Sequence, residues 1–139
     1  MRSVAFEDIA MGDKWSFDVE VTEASLDLFR EISGDNNPLH CDADYARERG
    51  FKGRVAYGML TASFYSQLVG VWLPGELCLL NEVDAQFRRP VYPGDLLTVS
   101  GEVALVRAEL RLVRVRARIV NQCGEVVSTA KIQLTVRER

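Results

Sequence analysis

The segment Ser33-Gly34-Asp35-Asn36-Asn37-Pro38-Leu39-His40 places a carboxylate and an imidazole five residues apart. An imidazole exchanges protons near neutral pH, and a nearby carboxylate can orient a water or take one of its protons. His40 is the one histidine of the chain, so any imidazole acid–base chemistry falls to it. Pro38 has no backbone N–H and pushes Asn37 towards extended geometry, while Gly34 is the residue type found just past helix ends. The expectation is an irregular, non-helical loop, where functional groups concentrate. Asp, Asn and Pro also build ordinary turns, so the octapeptide alone leaves a purely structural role open. Cys41 adjoins His40, but neighbouring side chains seldom point at each other, and a Cys–His nucleophile pair is not expected.

The elements around this loop follow from periodicity. Thr22 suits a helix N-cap, and Glu23 favours the helix dipole. A helix over 23–33 would present Leu26, Phe29 and Ile32 as one stripe, ending at Gly34. Asp42 or Asp44 would start a short helix stopped by Gly50, and 51–56 reads as a connection. From Met59 to Leu73 the chain is apolar nearly all round, too short for a bilayer span and broken by Thr61, Ser63, Ser66 and Gln67. It reads as a central helix buried in a small core and ended by Pro74-Gly75.

The period then changes to two. Strands are expected over 15–21, 79–87, 95–107, 109–120 and from Val126 to Val136. Leu97, Val99, Val103 and Leu105 fall on one face of the third of these. A bulge is expected near Leu112, where Leu110 and Leu112 leave the phase of Val113, Val115, Ala117 and Ile119. Helix plus antiparallel strands gives an α+β domain over 1–139, a curved sheet wrapped around the central helix.

Composition narrows the functions. At 139 residues with 47% hydrophobic and 27% charged residues, the chain is long enough for one core. A net charge of −3 argues against a nucleic-acid partner, which needs a basic field. The start of the chain carries Glu7 and Asp8 and no apolar run, so no signal peptide is expected. Cys41, Cys78 and Cys123 are widely spaced, as reduced thiols of a cytoplasmic protein would be.

Three stretches carry a resemblance: Phe29-Arg-Glu-Ile-Ser-Gly-Asp-Asn-Asn-Pro-Leu-His40, Tyr57-Gly58-Met59-Leu60 leading into the central helix, and Phe87-Arg-Arg-Pro-Val-Tyr-Pro-Gly-Asp95. In that order and spacing the chain resembles the MaoC-like hydratases of the hot-dog fold, in particular the (R)-specific enoyl-CoA hydratases. The resemblance implies a lyase that adds water to a trans-2-enoyl-CoA, giving the (R)-3-hydroxyacyl-CoA, or runs the reverse dehydration. It implies that Asp35 and His40 hold one water, that the Gly58 N–H meets the thioester oxygen at the central helix N-terminus, that Asn37 fixes the loop or the water, and that Ser66 takes part. Relatives commonly have His where this chain has Tyr57, a departure that bears on acyl specificity and leaves Tyr57 either a donor near the carbonyl or a packing residue.

The resemblance further implies no cofactor and no metal, an acyl-CoA or acyl-carrier thioester as substrate and a homodimer joined through sheet edges, while the charge and the short central helix argue for no nucleic acid and no membrane as partner. Two other functions share the fold. A hot-dog acyl-CoA thioesterase would use a carboxylate near the central helix, and a non-catalytic acyl-thioester binding module would need neither Asp35 nor His40.

Overall fold

A computed structural model describes residues 1–138. Its frame is one antiparallel sheet of five strands in the order β1-β3-β4-β5-β2. These are β1 (Lys14–Glu20), β2 (Cys78–Phe87), β3 (Leu96–Arg107), β4 (Leu112–Val120) and β5 (Val126–Val136). The helices are α1 (Glu23–Ser33), α2 (Pro38–Cys41), α3 (Ala43–Glu48) and α4 (Gly58–Gln67), with α4 continuing into a π-helical stretch, Leu68–Trp72.

Burial alternates along β3, β4 and β5, as period-two sequence demands of a sheet with one covered face. Val99, Val115, Ile119, Ile132 and Leu134 join Leu60, Tyr65, Leu68 and Val69 of the central helical segment in one core. Gly101 is what lets the two layers meet. A Cβ there would come within 2.8 Å of Leu68 Cδ2 and of Val115 Cγ1. One buried polar link crosses the same interface: the Tyr65 hydroxyl donates to Ser128 Oγ at 2.8 Å, and Ser128 Oγ donates to the Gln86 carbonyl at 2.9 Å. Helix α4 is thereby tied to β5 and to the edge strand β2.

The expected starts and stops of α1 appear as local chemistry requires. Thr22 accepts from the Ser25 N–H at 3.0 Å, and Ser25 Oγ accepts from the Thr22 N–H at 3.0 Å, a reciprocal cap. Gly34 closes the helix in the left-handed conformation, φ 71°. Asp42 caps α3 through the N–H groups of Asp44 and Tyr45.

Four expectations are corrected. The segment ending at His40 is not wholly irregular, because Pro38–Cys41 forms one helical turn. Pro38 stands at its first position, where a missing N–H costs nothing, and Asn37 caps it through the Leu39 N–H at 3.0 Å. Ile32 is 83% exposed rather than part of the buried stripe; Leu26 alone of α1 is fully buried. Leu105 leaves the core face, because the register between β3 and β4 shifts between Val103 and Leu105 and hands the inward position to Val106. The break before Leu112 is a turn rather than a bulge: residues 108–110 form a short 3-10 turn and Arg111 takes φ 47°.

Candidate active site

The loop between α1 and α2 is organised by its own polar side chains. Asp35 Oδ1 accepts the Asn37 N–H at 2.9 Å, and Asn37 Oδ1 accepts the Leu39 N–H. Ser33 Oγ accepts the Asp35 N–H at 3.2 Å, and Arg30 Nε donates to Asn36 Oδ1 at 2.7 Å. The second carboxylate oxygen of Asp35, Oδ2, makes no hydrogen bond to a described residue, and the side chain stands open to solvent. Asn37 thus shapes the loop with its side-chain oxygen.

His40 is held from a distance in sequence. Its Nδ1 lies 2.6 Å from the Val55 carbonyl, an acceptor that can only be met by Nδ1–H. The neutral ring therefore carries its lone pair on Nε2. The neighbouring backbone is clamped as well: the Val55 N–H donates to the Leu39 carbonyl at 3.1 Å, and Arg54 Nε donates to the His40 carbonyl at 2.7 Å. Arg54 also forms ion pairs with Glu23 and Asp27 of α1, and its side chain is only 13% exposed. Burial opposes this cation, but the hydrogen bond and charge of Asp27, with Glu23 behind it, outweigh that and raise the Arg54 pKa.

His40 opens onto a cleft of about 360 Å³. Gly58 and Thr61 of α4 form one wall, Val55, Ala56 and Val127 contribute to the lining, and Phe87 with residues 88–91 complete it. Gly58 is the first residue of α4, so its N–H has no intrahelical acceptor and points outward from the positive end of the helix dipole. A side chain at Gly58 would stand 3.4 Å from the Phe87 ring, so glycine keeps this corner open. One cleft is thus lined by an imidazole with a free ring nitrogen and by the first residue of a helix, groups suited to moving a proton beside a carbonyl that gains negative charge.

The other expected site residues lie elsewhere. Asp35 and Asn37 are on the exposed loop before α2, outside the cleft lining. Ser66 lies exposed two turns along α4 and does not reach the cleft. Tyr57 is buried at 2% exposure, and its hydroxyl donates to the Asp35 carbonyl at 2.8 Å instead of entering the cleft. Arg54, Val55 and Thr61 were not expected at the site. The first two act through backbone partners 14 and 15 residues away, which no local pattern announces.

A second, larger depression of about 1080 Å³ lies on the opposite face of the sheet. Lys14, Glu102, Arg116, Lys131 and Asp84 follow one another across it by strand pairing, and it contains none of the expected site residues. Arg114, Arg116 and Arg118 alternate with the buried residues of β4 and lie on this outer face.

The sequence model of the MaoC-like domain matches residues 8–123. The chain belongs to the MaoC-like domain family. Among its relatives, an (R)-specific enoyl-CoA hydratase of Rhodospirillum rubrum is 39% identical over 95 residues, 68% of this chain and 66% of the relative. A 3-hydroxybutyryl-CoA dehydratase of Methylorubrum extorquens is 35% identical over 104 residues, 75% of this chain and 66% of the relative. The match therefore spans just under two thirds of either protein's length. The unliganded R-hydratase of Pseudomonas aeruginosa superposes with a TM-score of 0.93 at 33% identity, covering 99% of this chain and 88% of that one. The five-stranded antiparallel sheet with its central helix is the hot-dog fold of this MaoC-like domain.

Proposed function

We propose that this MaoC-like domain catalyses addition of water to a trans-2-enoyl thioester, giving the (R)-3-hydroxyacyl thioester, and the reverse dehydration. The observation that carries the reading is the cleft lined by both His40, whose Nδ1 is engaged by the Val55 carbonyl and whose Nε2 is left free, and Gly58 at the start of α4. The curated relatives named above, an enoyl-CoA hydratase and a hydroxyacyl-CoA dehydratase, support the same chemistry.

In the hydration direction a water beside His40, which borders the cleft, loses a proton as its oxygen bonds to C3. Asp35, exposed and outside the cleft lining in the free protein, is proposed to close on that water as principal base once substrate is bound. The thioester oxygen takes up the resulting enolate charge against the Gly58 N–H. The pair then returns the proton to C2, so one water is consumed and no electron is gained or lost. Such a reaction asks for neither a redox cofactor nor a Lewis acid. Asp35 Oδ2 and His40 Nε2 are the unengaged basic atoms available for it. Asn37 maintains the loop that carries them.

Coenzyme A is the proposed carrier. Arg88 and Arg89 stand in the cleft wall, where they can meet phosphate groups. The working unit is proposed to be a homodimer joined along β2, and three free thiols suit a reducing, cytoplasmic setting.

Crotonyl-CoA hydration, followed by loss of the conjugated enoyl absorbance and by product chirality, tests the reading. Asp35→Asn and His40→Ala should each lower kcat/KM by roughly 10²–10⁴-fold. Release of free thiol without hydration would make the protein a thioesterase. Unchanged activity in both variants would end the Asp35/His40 assignment.

A further inference from the structure

Tyr57 reaches the backbone of Asp35 and the ring of His40, and it precedes Gly58 in the chain. Its hydroxyl lies 2.8 Å from the Asp35 carbonyl and 3.5 Å from Cys41 Sγ. Its ring packs against the His40 imidazole, with centroids 4.2 Å apart and planes 32° apart, and against Phe29 at 5.0 Å. Its own peptide leads into Gly58, and its carbonyl accepts the Thr61 N–H that begins α4.

The protons assign the directions. A main-chain carbonyl can only accept, so the single phenolic proton goes to Asp35. Cys41 Sγ stands 3.5 Å from the same oxygen, where a thiolate would oppose a phenolate. Burial, followed by the hydrogen bond and charge of Cys41, pushes the Tyr57 phenol up to about 12, so it stays a donor across any ordinary working pH. With its proton committed to a peptide oxygen and its ring outside the cleft lining, Tyr57 is placed neither to meet a thioester carbonyl nor to supply a proton to substrate.

We propose that Tyr57 is a positioning residue: it staples the Asp35 loop to the imidazole face of His40 and to the start of α4, fixing the two basic groups and the Gly58 amide as one unit. The assignment rests on the hydratase reading above for its kinetic consequence, and on geometry alone for its structural one. The shared-water arrangement needs the Asp35 loop held beside His40. Tyr57 is bonded to the Asp35 carbonyl and stacked on the His40 ring at once.

Tyr57→Phe removes the hydroxyl and keeps the ring, whereas Tyr57→Leu removes both. In Tyr57→Phe, kcat for crotonyl-CoA should fall about tenfold, as for loss of one hydrogen bond, with KM changed less than twofold. The Asn37 amide, bonded to Asp35 Oδ1, should exchange its hydrogen about tenfold faster. His40 is the sole histidine, so its ring signals need no assignment by mutation. They should keep the Nδ1–H tautomer in Tyr57→Phe and shift in Tyr57→Leu, where the stacked ring is gone.

A Tyr57→Phe variant with wild-type kcat and wild-type Asn37 exchange would overturn the proposal. So would a raised KM at unchanged kcat, which is the mark of a substrate contact. If the wild-type protein hydrates nothing, the function fails, yet amide exchange and the imidazole signals still decide whether Tyr57 holds the loop.

Discussion

Arg54 serves three acceptors with one guanidinium: the His40 carbonyl, Glu23 and Asp27. The two carboxylates are well exposed and would regain water if the cation were removed, but the His40 carbonyl would lose its charged donor. Arg54→Met should therefore lower unfolding free energy by roughly 1.5–3 kcal/mol, the range for hydrogen bonds to charged groups, seen as a lower urea midpoint at constant m-value. Arg54→Lys should recover only part of the loss, because an ammonium cannot present the planar fork that spans a peptide oxygen and two carboxylates. Equal midpoints for Lys, Met and wild type would remove Arg54 from the support of His40. At this scale the sequence exposes the groups proposed to react and conceals the groups that hold them. Asp35 and His40 stand out by type and spacing, whereas Arg54 and Val55 look like any residues of a connecting loop.

The elements show where local rules suffice and where they stop. Thr22, Ser25, Gly34 and Asp42 act within a few residues of themselves, so the limits of α1 and the start of α3 can be read directly. Pro38 misleads, because the same missing N–H that breaks a helix interior suits a helix start, and Asn37 makes it one. The register shift between Val103 and Leu105 depends on how β3 meets β4, so alternation along β3 alone assigns Leu105 to the wrong face. Gly101 is a further case: in sequence it is a weak strand residue, in the fold it is the gap into which Leu68 packs. Gly101→Val should cost about 1–3 kcal/mol by overpacking, since Val115 lies on a paired strand and Leu68 on a buried helix, and neither can retreat far. Thermal unfolding measures it. A Gly101→Val variant with the wild-type midpoint would mean that the helix can lift from the sheet without penalty.

The molecule as a whole leaves one sheet edge conspicuously apolar. β2 is an edge strand of ten residues, and along it Leu80, Val83 and Phe87 are 40%, 38% and 50% exposed. These three pair with Leu134, Ile132 and Ser128 of β5, all buried, so they extend the core-side face of the sheet beyond its cover. A long edge with free backbone groups and apolar side chains favours pairing with another strand. The end of β2 runs into Phe87, Arg88 and Arg89 of the cleft wall, so a second copy aligned there would stand beside the candidate active site. The proposed homodimer follows from this edge, and Val83→Lys examines it. In an isolated protomer the lysine would stay in water and folding would be spared; across a paired edge it would be buried without a counter-charge, at a cost of a few kcal/mol. Sedimentation should then show a dimer for wild type and an association weakened roughly 10²-fold or more for Val83→Lys, with hydratase activity falling in step and returning as protein concentration is raised. A Val83→Lys protein that remains dimeric and fully active would place the interface elsewhere, and a monomeric, active wild type would show that the cleft is complete within one chain.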